Sequence, residues 1–480
     1  VIYNDDGDQQ YDVEVYDYNV KDDQSFIDAR TTATFDTHVD TYAWCVGTGC
    51  HEPWGRRSEI LPSVGSCERA ADLIVEACHA RGIEVWGALR MNDLHDSFRA
   101  ERLEDANDPI KAEHPEYLIA PESNRDLPPQ LRERALWTAF NFAQPGVREH
   151  RLAFIERDAA IHDYDGYELD FTRFIWNFPL GEERQNAGYM TDLVRRVRGC
   201  LNDIGERRGR PYTFVAHVMD SPSLSLELGQ DVEAWLDEGL VDVLVVGMGY
   251  LPYCMRLNEW LGLGRRHGVP VYPSVNTNIY SRWAREVHDN QDVWREAIRG
   301  SSAYYWSQDA DGVYIFNSFC APAAAAGGLP SSWQHALLKE IGEPAELAGK
   351  DKFYAIQPTA QSGFCHHGSA AAPLPIALDS VERKLPLKVG PDADDPGAHF
   401  RISVWTTGGS DETCVWLRLN HRLLAEPARD GPWLHLDVPG GVLRTGGNEL
   451  NIWCNQAAQQ TDRPMIVHCI FVSAKYGAES

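Results

Sequence analysis

The chain of 480 residues carries 44 basic and 71 acidic residues, a formal charge of −27 at pH 7, with 43% hydrophobic and 24% charged residues. This ordinary globular composition, with its surplus of negative charge, repels a phosphate backbone and an anionic membrane surface alike, which argues against nucleic acid as a partner. No apolar run approaches the roughly 20 residues that cross a bilayer, and the length suits two domains of unequal size, because one barrel can take about 250 residues or more.

Apolar runs of strand length alternate with segments of helical period, as expected of βα units around a parallel sheet buried on both faces. In chain order the runs are Val1 to Asn4, Val39 to Val46, Ile83 to Leu89, Tyr167 to Phe171, Tyr212 to Val218, Val241 to Val246, Val269 to Val275 and Gly312 to Phe316. Eight parallel strands predict a (β/α)8 TIM barrel. Helices are expected over Ser66 to Arg81, Val147 to His162, Gly188 to Arg207, Asp231 to Glu238, Leu257 to His267, Asp292 to Arg299 (with Gly300 as its stop) and Trp333 to Ile341. The stretch from Asp93 to Gln144 fits no single helix and is expected to form an elaborate loop walling one side of a cleft. After Lys350 the pattern turns to short alternating runs, such as Phe400 to Trp405, Cys414 to Leu419, Trp433 to Val438 and Glu449 to Cys454, with turns expected at Asn420-His421 and Gly446-Gly447-Asn448. The expected division is therefore a barrel over 1–345 and an all-β sandwich over 346–480.

Reactive groups of such a barrel project from the C-terminal ends of its strands. The first strand leads into Asp5 and Asp6, and the second holds Asp40 and Trp44. The third ends in Arg90-Met-Asn92-Asp93-Leu-His95, a cation, an amide, a carboxylate and an imidazole suited to sugar hydroxyls. Strand alternation puts Glu168 and Asp170 of the fourth strand on one face, where two buried carboxylates repel and lose hydration, with Arg173 as the nearest cation. His217 near the end of the fifth strand, Asp220 just beyond it, Tyr250 after the sixth and Asn276 after the seventh complete the candidate cleft. Two carboxyl groups suffice for glycoside hydrolysis, one as acid and one as base or nucleophile. Asp170 is the first choice for base or nucleophile, and Glu168 or Asp220 for its partner. A buried salt-bridge cluster that only holds the barrel together is the bland alternative for the fourth-strand acids, as capping with Ser221 is for Asp220.

The segment Asp165-Gly-Tyr-Glu-Leu-Asp170 resembles the fourth-strand motif of barrel glycoside hydrolases. It departs from the chitinase-like pattern, whose acid would fall on Thr172, so chitinase chemistry does not carry over. With Asn4-Asp5-Asp6-Gly7 and Trp235-Leu-Asp-Glu-Gly-Leu-Val-Asp242, the chain is similar over residues 1 to about 320 to the broad group of glycosyl-hydrolase-like barrels. That resemblance implies the fold and a carbohydrate substrate, without fixing which chemistry this group of barrels performs.

Fifteen tryptophans and nineteen tyrosines, among them Trp44, Trp54, Trp137, Tyr250 and Tyr253, supply faces able to stack on sugar rings, with core packing as the first expectation for any one of them. No nucleotide, flavin or nicotinamide motif is present, so no cofactor is expected. Asp93 with His95, His38 with Asp40, and Cys365-His366-His367 are weak metal patterns, and no metal is expected. Eleven cysteines are read mostly as free thiols, with Cys45–Cys50 or pairs among Cys414, Cys454 and Cys469 open as bridges on export. A start at Val1 rather than Met is compatible with signal-peptide removal. The leading expectation is hydrolysis of an oligo- or polysaccharide; a polysaccharide lyase and a catalytically silent sugar-binding protein compete with it.

Overall fold

The computed structural model describes residues 1–5, 22–46, 67–128, 131–247, 255–276, 291–316, 332–356, 374–410, 412–455 and 463–477. Eight parallel strands close into a barrel in chain order: β1 (Ile2–Asp5), β2 (Thr41–Val46), β3 (Glu84–Arg90), β4 (Gly166–Asp170), β5 (Thr213–Val218), β6 (Val243–Val246), β7 (Val271–Asn276) and β8 (Tyr314–Phe316), with β8 pairing back onto β1. All eight expected runs become strands, because a strand buried on both faces reads as an almost unbroken apolar stretch. Inside, Ile2, Ala43, Trp86, Ala88, Val215, Val243, Val245, Tyr314 and Phe316 fill the barrel. Gly166 is required there, since a Cβ would lie 2.7 Å from the Trp86 ring.

Around the barrel lie α1 (Asp23–Thr31), α2 (Cys67–His79), α3 (Pro145–Ile161), α4 (Ala187–Arg208), α5 (Pro222–Glu227), α6 (Val232–Asp237), α7 (Asn258–His267), α8 (Gln291–Trp306) and α9 (Ser332–Leu338). In α2 the buried stripe is Ala70, Ala71, Ile74, Val75 and Cys78. Helix α8 overruns the expected stop at Gly300 by six residues. Burial of Ile298, Tyr304 and Tyr305 outweighs the roughly 1 kcal/mol that a mid-helix glycine costs.

One device recurs at the N-terminal rim. Just before each even-numbered strand an aspartate reaches a main-chain nitrogen at the start of the preceding strand: Asp165 to Val85 (2.8 Å), Asp242 to Phe214 (2.8 Å) and Asp311 to Val271 (2.8 Å), and Asp40 to the amino group of Val1 just ahead of β1 (3.3 Å). Asp165 also meets His79 at 2.8 Å and accepts from Arg210 at 2.6 Å, and Asp242 accepts from Arg198 at 2.6 Å. The motif acids Asp165 and Asp242 thus pin strands and helices together, which explains why those motifs mark the fold rather than the chemistry.

Beyond the barrel are β9 (Lys352–Ile356), β10 (Ile376–Ala377), β11 (Arg383–Val389), β12 (His399–Thr407), β13 (Val415–Leu419), β14 (Arg422–Leu423), β15 (Ala428–Asp430), β16 (Trp433–Val438), β17 (Gly446–Cys454) and β18 (Ile466–Lys475). They form two antiparallel sheets, β10-β18-β12-β16-β15 with β9 also on β18, and β11-β17-β13-β14, as a sandwich requires. Asn420 and His421 both take positive φ (46° and 71°) in the tight turn between β13 and β14. Gly446 to Asn448, by contrast, lie within β17 and pair with β11. Lys475 on β18 reaches Glu296 on α8 at 2.5 Å, tying sandwich to barrel. Cys45, Cys414, Cys454 and Cys469 are free thiols, as are Cys78 and Cys200, so no bridge joins the three sandwich cysteines. Cys50, Trp54, Tyr253 and the Cys365-His366-His367 triplet lie outside the described residues.

Candidate functional site

The C-terminal ends of β3, β4 and β5 bring together most of the expected polar groups. Register places Arg90, Asp170 and His217 side by side on adjacent strands. Glu168 lies one layer deeper in the barrel, with 0% exposure. Its carboxylate accepts hydrogen bonds from Tyr314 Oη on β8, at 3.0 and 3.1 Å, and meets His217 Nδ1 at 3.2 Å. His217 Nε2 lies 2.9 Å from the Gly247 carbonyl, and its Nδ1 is 3.9 Å from Asp170 Oδ1. Burial raises the Glu168 carboxyl above its ordinary value, more than the hydrogen bonds and charge of His217 lower it. Burial alone would lower His217, but the hydrogen bond to Glu168, the charge of Asp170 and the Gly247 carbonyl together raise it. Burial and the nearby acids hold the Tyr314 hydroxyl well above the usual tyrosine range.

Asp170 is oriented by its own loop. Oδ1 accepts from Thr172 N (2.7 Å), Thr172 Oγ1 (2.8 Å) and Arg173 N (3.1 Å). All three bonds fall on Oδ1, and Oδ2 takes none among the described residues. Thr172, which stands where the chitinase-like acid would fall, therefore serves to aim Asp170.

Beside it runs a second polar chain. Arg173 donates to His95 Nε2 at 3.0 Å, which makes that nitrogen the acceptor and leaves the proton on Nδ1. Nδ1 then donates to Asp93 Oδ1 at 2.7 Å, and Arg90 donates to Asp93 Oδ2 at 3.3 Å. Burial alone would raise Asp93, but His95 and Arg90 outweigh it and hold that carboxyl well below the usual range. The chain locks the loops after β3 and β4 against each other, and Phe174 closes it with an edge-on contact to His95 at 5.0 Å.

Four expected binding residues are placed elsewhere. Asn92 is buried as a clamp: its amide donates to the Phe140 and Trp176 carbonyls at 2.9 and 2.6 Å and accepts from Phe140 N at 2.9 Å, leaving no arm for a ligand. Asp5 points outward from β1 and is fully buried in an ion pair with Arg30, with Tyr42 Oη donating to it at 2.5 Å. Trp44 also faces the outer layer, edge-on to Phe26 at 6.4 Å and 5.4 Å from the Arg30 guanidinium. Asp40 sits at the opposite rim, 70% exposed, immediately ahead of β2, which starts at Thr41. Trp137 is buried within the long loop, its indole donating to the Ser97 carbonyl at 3.3 Å. Asp6 and Tyr250 lie outside the described residues, as does the Asn276 side chain at the end of β7.

Asp220 follows β5 by two residues on the rim that holds Asp170 and is largely buried. The cap of α5 is Ser221, whose Oγ accepts from Leu224 N at 3.3 Å, so the capping role does not fall to Asp220. Residues 93–144 leave β3 at this same end, and Ile119 and Ala120 pack with Trp176 and Met219 of the neighbouring loops. Tyr314 was absent from the sequence-based candidates. The alternation that singled out Glu168 also turns Tyr314 inward, between Val313 and Ile315. Among the described residues no cluster of three or more His, Cys, Asp or Glu is set to hold a metal, and no helix is long and apolar enough to cross a membrane.

No protein-family model and no curated protein sequence matches the chain. Among solved structures it is similar to an α-amylase from Malbranchea cinnamomea, at 12% identity over 94% of this chain and 95% of that one, with a TM-score of 0.39. It is similar to a glycoside hydrolase family 18 N-acetylglucosaminidase from Paenibacillus barengoltzii at 12% identity, covering 71% and 99%, with a TM-score of 0.38. For a cycloisomaltooligosaccharide glucanotransferase from Paenibacillus sp., identity is 9%, the TM-score is 0.34, and 99% of this chain covers 57% of that enzyme, little more than half its length. At such scores the likenesses bear on neither substrate nor mechanism.

Proposed function

We propose that this chain is a carbohydrate-active enzyme that hydrolyses glycosidic bonds in an oligo- or polysaccharide at the C-terminal mouth of its barrel. The observation that carries the reading is Asp170: an inward carboxylate at a strand end, with one oxygen fixed by three donors and the other left for a reacting atom. In this reading Asp170 acts as nucleophile or base, and Asp220 protonates the leaving oxygen. Glu168 lies beneath them with both oxygens engaged, so it acts through His217 rather than on the sugar. The loop 93–144 walls the cleft, and Arg90 and Arg173 offer hydrogen bonds to hydroxyls. Residues 1–345 supply the catalytic unit and 346–480 an accessory one.

The test is turnover on a panel of polysaccharides, followed by the same assay on Asp170→Asn and Asp220→Asn. Loss of an essential carboxylate is expected to lower the rate by several orders of magnitude, with thermal unfolding close to that of the parent. Near-normal turnover of Asp170→Asn removes it from the mechanism. The anomeric configuration of the first product then separates a covalent from a direct displacement.

A further inference from the structure

His217 has its protonation constrained from both sides. A carbonyl oxygen only accepts, so the 2.9 Å contact with Gly247 fixes a proton on Nε2. Nδ1 faces Glu168 Oε1 at 3.2 Å, and two hydrogen-bonded groups there need one proton between them, on the ring or on the carboxyl. The surroundings decide which. Asp170, on the same strand as Glu168, lies 3.9 Å from the same nitrogen. From β8, Tyr314 Oη donates to both Glu168 oxygens, which favours the carboxylate, and the Tyr314 and Phe316 rings approach His217 at 4.9 and 5.9 Å without bringing a cation. From β6 and beyond, the contact among the described residues is the Gly247 carbonyl; Arg90 of β3, next to Asp170 in register, donates to Asp93.

We propose that His217 is an imidazolium bridging Glu168 and Asp170, and that Glu168 is a positioning residue which, by keeping that ring charged, places a positive charge beside Asp170 for its reaction. The ring state stands on the hydrogen bonds and the position of Asp170; its bearing on turnover rests on the function proposed above. Burial by itself favours the neutral pair, and it is opposed by the Tyr314 hydrogen bonds to Glu168, the Gly247 carbonyl and the nearby Asp170, whose effects are strong because little water screens charges at this separation.

The ring state is read directly from imidazole 15N shifts of histidine-labelled wild-type protein, with the His217 signals assigned by their loss in His217→Asn. Both nitrogens are expected to be protonated at pH 7, and to remain so well above the ordinary histidine value of about 6.5. In Asp170→Asn the loss of one carboxylate is expected to lower the deprotonation midpoint by about one unit or more. In Glu168→Gln the ring is expected to become neutral, keeping only Nε2–H. A wild-type ring without a proton on Nδ1 at pH 7 places the proton on Glu168 and overturns the inference. So does a midpoint indifferent to Asp170→Asn. If the shifts behave as expected while Asp170→Asn retains turnover, the imidazolium stands and the proposed hydrolysis falls. The second arm is kinetic: Glu168→Gln is expected to move the alkaline limb of kcat to lower pH with KM nearly unchanged, and Glu168→Asp to restore part of it. A uniform drop in kcat at every pH would mark a structural role only and count against the proposal.

Discussion

Truncating Asn92 to alanine separates a clamp from a ligand contact. Asn92 is 1% exposed and makes three hydrogen bonds, two as donor at 2.9 and 2.6 Å and one as acceptor at 2.9 Å, all to backbone groups of Phe140 and Trp176. Alanine strips three buried backbone groups of these partners, each worth about 1–3 kcal/mol if the gap stays dry. Water entering the vacated space recovers part of this, so a net cost of about 3 kcal/mol is expected, at the low end of the additive range. At about 1.4 kcal/mol per decade, that is roughly a hundredfold rise in the local opening constant. Hydrogen exchange at the Phe140 amide measures it, because that amide is tied down by the Asn92 side chain itself. Limited proteolysis within 93–144 gives an independent readout and is expected to speed up in parallel. An amide exchanging within threefold of the parent, combined with a raised KM for sugar, would return Asn92 to the substrate-contacting role that its sequence neighbourhood implies.

Arg30→Met is expected to destabilise the barrel by about 3–5 kcal/mol in chemical denaturation, since it leaves the fully buried Asp5 without its ion-pair partner. Adding Asp5→Asn to that variant is expected to recover most of the loss, and an additive double mutant would show that the pair is not coupled. Asp93 has a depressed folded pKa, so the stability it contributes is present above the unfolded carboxylate value of about 3.9 and is lost as pH falls below it. Asp93→Asn, with no such carboxyl, is expected to show a shallower loss of stability between about pH 4 and 2; an acid limb as steep as the parent's would assign that titration to other groups.

The eight strands are legible in the sequence because double-sided burial leaves a signal within the strand itself. The inward placement of Glu168 and Asp170 follows from alternation, and the same rule applied to Tyr314 would have found the third member of the buried cluster. What escapes is whatever depends on a partner distant in sequence. Nothing around Asp5 announces Arg30, and nothing around Asn92 announces the Phe140 and Trp176 backbone, so both read as free polar groups at a strand end. Asp40 stands at the start of its run in the sequence too, so its place on the rim opposite Asp170 follows from strand direction and not from any distant partner. The polar run Arg90 to His95 was recognisable as a cluster, but its internal pairing, which engages Asp93 with both Arg90 and His95, appears only with the loops in place.

The aspartate pins of the N-terminal rim divide the barrel unevenly. They cross from β1 to β2, β3 to β4, β5 to β6 and β7 to β8, so each joins the two strands of one quarter. Intervening loops of unequal length hide this fourfold recurrence from any search for a fixed period. It makes the quarter-barrel the natural unit of dissection. Gly82, Gly209 and Gly268 stand at positive φ in open space just before the odd strands β3, β5 and β7, so a chain severed there keeps each aspartate-to-backbone pin within one fragment. Gly239 is equally exposed and equally left-handed, yet a break at that point separates Phe214 from Asp242. Two peptides divided at Gly209 or Gly268 therefore carry intact quarters into reassembly as a non-covalent heterodimer, whereas two divided at Gly239 must rebuild a quarter across the cut.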